Sequence, residues 1–268
     1  MVLEEYRKSA DQYVGPFARY FRNADPSTLT VISFLCAVLA GIFFVLTNFR
    51  DWFLLIAPVF VFLNGFFDVL DGKVARLSRK ASPRGDFLDH VLDRYADVFI
   101  IGGIALSPYC PPVIGLLAII GVIFASYMGT QAQAVGCGRD YKGLLGRADR
   151  LVILIFAPII QYPLMWPGLN LGFYKVTLVI DKYVIPMEFT FLAVVMLVFA
   201  IIGHVTAVQR AINTWRELKE RDKNCGKNRA ANSAVQQGKV AHAQGIKWTQ
   251  DVNAQEHSAN DTGKRQKE

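Results

Sequence analysis

The chain has 268 residues, of which 53% are hydrophobic, and it carries a formal net charge of +7. Because the apolar residues are gathered into long runs, this composition excludes an ordinary water-soluble domain. Basic loops on the cytoplasmic face of a membrane protein account for the net charge, so we expect membrane lipids and no nucleic acid as partners.

The first 25 residues are predicted to form an interfacial segment with an amphipathic helix beside the membrane. Aromatic and basic residues alternate through residues 3–22, a pattern typical of helices at the headgroup level. Pro16 can kink or break such a helix. Four aromatic side chains are expected to face lipid: Tyr6, Tyr13, Phe17 and Tyr20.

Six apolar runs follow, each close to the ~20 residues that cross ~30 Å of hydrocarbon. They cover residues 30–48, 52–70, 88–107, 112–130, 149–166 and 186–207. These runs predict an all-α integral membrane protein whose six-transmembrane-helix bundle occupies residues 26–215. The connection at residues 168–185 is predicted to be the longest on the external side, with a short interfacial piece.

Lys and Arg residues concentrate on one side of this layout. They lie before residue 23, in the loops 73–84 and 139–150, and in the chain after residue 209. Since loops rich in Lys and Arg stay in the cytoplasm, we expect a multi-pass protein of the cell membrane with both termini in the cytoplasm. The polar residues 216–268 are predicted to form a largely disordered cytoplasmic tail.

Four aspartates mark the ends of two neighbouring runs. Asp68 and Asp71 are three residues apart, and Asp89 and Asp93 are four apart, so each pair shares one face of a helix. Ionisable groups at such places are costly to keep and are functional by default. Carboxylates converging from two helices suit hard divalent cations such as Mg²⁺ or Mn²⁺.

The complete pattern is D-x2-D-G-x2-A-R-x8-G-x3-D-x3-D, which runs from Asp68 to Asp93. It resembles the signature of the CDP-alcohol phosphatidyltransferase family. The resemblance implies an enzyme of phospholipid synthesis that moves a phosphatidyl-type group from a CDP-linked lipid to an alcohol, releases CMP, and works as a homodimer. It implies two ions of Mg²⁺ or Mn²⁺, with Asp93 as general base. The implied metal ligands are Asp68, Asp71, Asp89 and Asp93.

The same resemblance assigns residues to the CDP-alcohol donor. Gly72 lets the backbone approach a nucleotide closely, and Arg76 offers a planar fork to the pyrophosphate. Relatives carry a P-N-x-x-T segment at the first span, which here reads P-S-T-L-T from Pro26. The residues assigned to donor binding are Ser27, Thr30, Gly72, Arg76 and Ser82.

The acceptor is suggested by the segment G-R-A-D-R at residues 146–150, which resembles the R-x-x-R of relatives that act on phosphorylated polyols. Four cations are candidates for an acceptor-phosphate pocket: Arg139, Lys142, Arg147 and Arg150. Ordinary loop charge is the alternative explanation. We expect inositol 1-phosphate as the acceptor, with glycerol phosphate or serine as alternatives.

The stretch G-T-Q-A-Q-A-V-G resembles archaeal members of the family. This implies CDP-archaeol as donor and archaetidylinositol phosphate as product, and CDP-diacylglycerol is the alternative donor. Gly129 and Gln131 replace two arginines that many relatives carry here.

Asp97, one turn beyond Asp93, either supports the metal ligands or pairs with an arginine, and His90 is given no role. A cation transporter that uses the Asp pairs is the alternative from another class of protein.

Overall fold

In the computed structural model of the protein, the described residues are 7–138, 146–165, 174–180 and 183–225. Seven helices and one β-hairpin make up this part of the chain. The helices are α1 (Arg7–Tyr20), α2 (Pro26–Leu46), α3 (Phe53–Leu77), α4 (Pro83–Ala105), α5 (Pro112–Ala134), α6 (Arg147–Leu164) and α7 (Phe191–Cys225). The chain divides into two compact units, Met1–Ile212 and Asn213–Glu268, and the candidate site lies in the first.

Four of the six predicted spans coincide with helices that are long and apolar enough to cross a membrane, namely α2, α3, α5 and α7. The protein is therefore a multi-pass membrane protein. The other two predicted spans are also helical, with 23 residues in α4 and 18 in α6. Their first turns carry Asp and Arg residues, so apolarity alone does not identify them as spans.

One β-hairpin, which the sequence analysis did not predict, interrupts the helical architecture between α6 and α7. Strand β1 (Tyr174–Ile180) pairs antiparallel with β2 (Tyr183–Phe189). Both strands are rich in β-branched and aromatic residues, which favour a pleated conformation. The hairpin occupies the predicted external connection, and the last span accordingly begins at Phe191 rather than at residue 186.

The core is formed where α2 packs against α3 and α4, α3 against α6, and α4 against α5. The crossing of α2 and α4 is close because it is made by glycines. A methyl group at Gly41 would overlap the backbone of Phe99, and one at Gly103 would overlap the backbone of Gly41. Small residues of this kind let membrane helices approach closely enough for van der Waals packing.

Helix α1 lies against α3, near the start of α2. Val14 and Ala18 are buried in a small apolar cluster with Leu29, Leu70 and Val74. Phe17 and Tyr20 are exposed, and their predicted contact with lipid stays a prediction. Tyr6 and the side chain of Tyr13 lie outside what the structure describes. Residues 216–225, predicted to belong to the disordered tail, instead continue helix α7. The predictions for the tail beyond residue 225 and for residues 139–145 lie outside the described residues.

Candidate functional site

The four aspartates meet because α3 and α4 are joined by a short loop. Asp68 and Asp71 lie in the last three turns of α3, which ends at Leu77, and Asp89 and Asp93 lie in the first three turns of α4. The Ser82 hydroxyl starts α4 by accepting a hydrogen bond from the Gly85 amide at 3.2 Å. Both pairs are therefore held at the same end of the bundle.

Several carboxylates of the cluster lie close enough to repel one another. The Asp71 carboxylate is repelled by Asp68 and Asp89, and Asp93 is repelled by the same two residues. Asp71 is only 5% exposed. Its Oδ2 atom, and Oδ1 of Asp89, are buried without a hydrogen-bond partner among the described residues. Buried carboxylate oxygens without a hydrogen-bond partner are typical ligands of a divalent cation, so the residues present fit such an ion.

Two of the predicted donor residues lie against this cluster. The Thr30 hydroxyl, in the first turns of α2, donates to the Pro26 carbonyl at 3.1 Å and also lies close enough to interact with Asp71. Gly72 follows Asp71, and a side chain placed there would meet no atom within 4 Å. The backbone at Gly72 is therefore open to a large ligand.

The other three predicted donor residues are placed at the same end of the bundle without a described contact to the aspartates. Ser27 lies in the first turn of α2, Arg76 is exposed in the last turn of α3, and Ser82 caps α4. Their predicted contacts with a nucleotide stay predictions.

Arg147, in the first turn of α6, joins the two aspartate pairs. Its Nη1 atom is 2.8 Å from Oδ1 of Asp68 and 2.8 Å from Oδ1 of Asp93. Its Nε atom is 3.8 Å from Oδ1 of Asp97. The Nη2 and Nε atoms are buried and have no hydrogen-bond partner in the described part of the chain, so the guanidinium has N–H groups left for a further acceptor.

Arg150 lies one turn further along α6 and differs from Arg147 in its surroundings. Its Nη2 atom is 3.2 Å from Oδ2 of Asp97, and both residues are buried. Asp97 thus pairs with an arginine, which was one of the two roles considered for it. Arg139 and Lys142, the other predicted acceptor cations, lie outside the described residues.

Sequence reasoning missed two features next to the aspartates. His90, given no role above, lies with Asp89 and Asp93 in a group whose potential metal-binding atoms are all within 4.8 Å of one another. Asn64 is buried and donates to the Ser33 carbonyl at 3.0 Å and to its hydroxyl at 2.9 Å. The signal that could have found the Ser33–Asn64 contact is a polar residue inside each of two predicted apolar spans.

Ser33, Asn64 and Asp93 also line one small crevice. Its other lining residues are Thr30, Phe34, Leu92 and Ala96. The site offers a carboxylate cluster suited to divalent cations and Arg147, which is suited to an anion. Asp93 belongs to the cluster and contacts Arg147. Such a set of groups can bring a phosphate ester to a cation and present a second anion beside it.

Comparisons with known proteins agree with this chemistry. Residues 24–215 match the family model described as CDP-alcohol phosphatidyltransferase. The chain is 29% identical over 219 residues to the archaetidylinositol phosphate synthase of Methanothermobacter thermautotrophicus, an alignment covering 81% of this chain and 96% of that protein.

Two crystal structures of the phosphatidylinositol phosphate synthase of Mycobacterium tuberculosis have a similar fold. The structure with CDP-DAG bound has a TM-score of 0.58 at 24% identity, covering 76% of this chain and 94% of that one. The complex with manganese and citrate has a TM-score of 0.57 at 24% identity, covering 75% and 88%.

Proposed function

The chain belongs to the CDP-alcohol phosphatidyltransferase family, and from this premise we propose that it transfers an archaetidyl group from CDP-archaeol to inositol 1-phosphate. It is a membrane enzyme of phospholipid synthesis, which sets aside the cation-transporter alternative. The archaetidylinositol phosphate synthase named above supports both the ether lipid and the inositol phosphate. CDP-diacylglycerol as donor and glycerol phosphate or serine as acceptor are the alternatives.

The reaction is a substitution at the phosphorus atom that carries the lipid alcohol. The acceptor hydroxyl oxygen forms a bond to this phosphorus, and the bond from phosphorus to the bridging oxygen breaks, so that CMP leaves with the electron pair. The acceptor proton passes to a base, for which we propose Asp93. The products are a phosphodiester lipid and CMP.

Asp68, Asp71, Asp89 and Asp93 are proposed to hold two divalent cations, because two of these carboxylates have buried oxygens without partners in the described structure. When bound, Mg²⁺ or Mn²⁺ would neutralise the pyrophosphate and the leaving phosphate of CMP. The manganese complex of the mycobacterial enzyme supports this choice of metals. Thr30, Gly72 and Arg76 are proposed to bind the donor, together with Ser27 and Ser82.

The observation that carries the acceptor proposal is the position of Arg147. Its Nη1 atom contacts Asp68 and Asp93 at 2.8 Å each, while its buried Nη2 atom has no partner among the described residues. A phosphate bound to that free edge would bring the remainder of the acceptor next to Asp93. A phosphorylated polyol supplies both the anion and a hydroxyl a few bonds away, whereas serine offers no phosphate.

We also propose how the protein is arranged in the membrane. Helices α4 and α6 complete six spans, because their charged first turns gather at the site and need not face lipid. The site and both termini face the cytoplasm, α1 lies at the interface, and two copies form a homodimer. Residues 1–25, 26–215 and 216–268 form the interfacial segment, the catalytic domain and the tail.

The test is incubation of the purified protein with Mg²⁺, CDP-archaeol or CDP-diacylglycerol, and a panel of acceptors, followed by mass analysis of the lipid product. We expect a product with inositol 1-phosphate and CDP-archaeol, and much less with free inositol or serine. Efficient transfer to an acceptor that lacks phosphate would refute the acceptor proposal.

A further inference from the structure

Asp97 is buried one helical turn beyond Asp93 on α4, and two arginines of α6 face it. The Nη2 atom of Arg150 is 3.2 Å from Oδ2 of Asp97, and the Nε atom of Arg147 is 3.8 Å from Oδ1. Each carboxylate oxygen of Asp97 is thus turned to a different arginine. Asp97 is 6% exposed and Arg150 is 8% exposed, so solvent screens this contact little.

The two arginines are used differently. Arg150 has Asp97 as its carboxylate partner in the described structure, and the pair neutralises itself inside the bundle. Arg147 has carboxylates on two edges: Asp68 and Asp93 share Nη1, while Asp97 faces Nε. The buried Nη2 and Nε atoms of Arg147 make no hydrogen bond in the described part of the chain, so Asp97 acts on Nε by charge alone.

Contacts on two edges fix the orientation of a planar guanidinium, because the five N–H groups lie in one rigid fork. The contact with Asp68 and Asp93 alone would let the plane of Arg147 turn about Nη1. The Asp97 carboxylate makes no hydrogen bond to Nε, but at 3.8 Å its charge attracts that edge. This attraction opposes the rotation and so favours one direction for Nη2. Arg150 in turn holds the Asp97 carboxylate in position with a charge-assisted hydrogen bond.

We propose that Asp97 is a positioning residue that aims Arg147 at the acceptor phosphate, and that Arg150 acts through Asp97 without touching the acceptor. This inference rests on the proposed function, since it concerns how the phosphorylated acceptor is held. Among the described cations, Arg147 is assigned the contact with the acceptor phosphate. Arg150, which was predicted above as a second phosphate ligand, has a supporting role.

The decisive experiment compares Asp97→Asn in the wild-type protein and in an Arg147→Ala background, with Mg²⁺, CDP-archaeol and inositol 1-phosphate. In the wild-type background the acceptor KM rises about tenfold, within the range for coupled neighbours, and the donor KM does not change. In the Arg147→Ala background the same substitution has no further effect on the acceptor KM. Asp97→Glu, which keeps the charge, recovers part of the loss.

Asp97→Asn leaves Arg150 buried without its counter-ion, which can impair folding. The double variant Asp97→Asn/Arg150→Gln removes both charges, so the inference is still tested if Asp97→Asn alone does not fold. Its acceptor KM rises about tenfold over wild type, no more than in Asp97→Asn alone, if the two residues act as one unit. A further tenfold rise in the double variant would show that Arg150 binds the phosphate directly and would overturn its supporting role.

Two outcomes overturn the positioning role of Asp97. The first is an unchanged acceptor KM in Asp97→Asn or in the double variant. The second is that Asp97→Asn raises the acceptor KM by the same factor in the wild-type and in the Arg147→Ala background. Failure of the proposed function has a different signature. Wild-type protein that transfers lipid to no phosphorylated polyol refutes the function itself, whereas active wild type with an unaffected Asp97→Asn variant refutes only this inference.

Discussion

Replacing Arg147 by Ala is the most direct test of the acceptor site. In the structure two buried nitrogens of this side chain, Nε and Nη2, have no hydrogen-bond partner among the described residues. Its Nη1 atom contacts Asp68 and Asp93, and Nε lies 3.8 Å from Asp97. A hydrogen bond to a charged group contributes ~1.5–3 kcal/mol, and each 1.4 kcal/mol is a tenfold change in affinity. We therefore expect the KM for inositol 1-phosphate to rise roughly ten- to a hundredfold.

The donor should respond much less. Its pyrophosphate binding depends mainly on the cations held by the aspartates, so the KM for the CDP-linked lipid should stay within about threefold of wild type, because no direct contact is lost. Arg147→Lys keeps the charge but loses the fork, and should recover only part of the acceptor affinity. Steady-state kinetics with each substrate varied in turn measures both constants.

A matched control separates a phosphate contact from a general effect of charge. Lys80 is an exposed cation in the loop between α3 and α4, so Lys80→Ala removes the same charge from the same end of the bundle and should change neither KM. Free inositol should be a poor acceptor for wild type and should be nearly insensitive to Arg147→Ala. An equal loss for phosphorylated and unphosphorylated acceptors would refute a phosphate pocket at Arg147.

The remaining predictions concern the metal site, the base and the packing. Asp71→Asn should abolish turnover while the protein still folds, and excess chelator should do the same to wild type in a transfer assay; activity that survives chelation would contradict the metal site. Asp93→Asn should still bind CDP-archaeol, measured by calorimetry, but transfer ~10²–10⁴-fold more slowly; near-normal turnover would remove Asp93 as the base. Gly103→Ala should lower thermal stability, by ~1–3 kcal/mol, because the new methyl group meets the backbone of Gly41. Gly102→Ala is its control, since the nearest atom there is a side-chain methyl of Ile119 at 3.9 Å, and equal melting temperatures of the two variants would contradict the close crossing.

The sequence alone determined the carboxylate cluster and its place in the bundle. The spacing of Asp68 and Asp71, and of Asp89 and Asp93, puts each pair on one helical face whatever the rest of the chain does. The loop between α3 and α4 is short, so the two pairs must lie at the same end of their helices. The apolar runs likewise predicted α2, α3 and α5, because helix length and apolarity are local properties.

Only the tertiary structure decided how the arginines are used. Arg147 reaches Asp68 across 79 residues of sequence, and Arg150 reaches Asp97 across 53. Such contacts depend on how α6 packs against α3 and α4, which no spacing within α6 specifies. The sequence therefore grouped the two arginines as equivalent candidates for the acceptor-phosphate pocket. The structure separates them. Arg147 contacts Asp68 and Asp93 and has buried nitrogens without a partner among the described residues, whereas Arg150 pairs with Asp97.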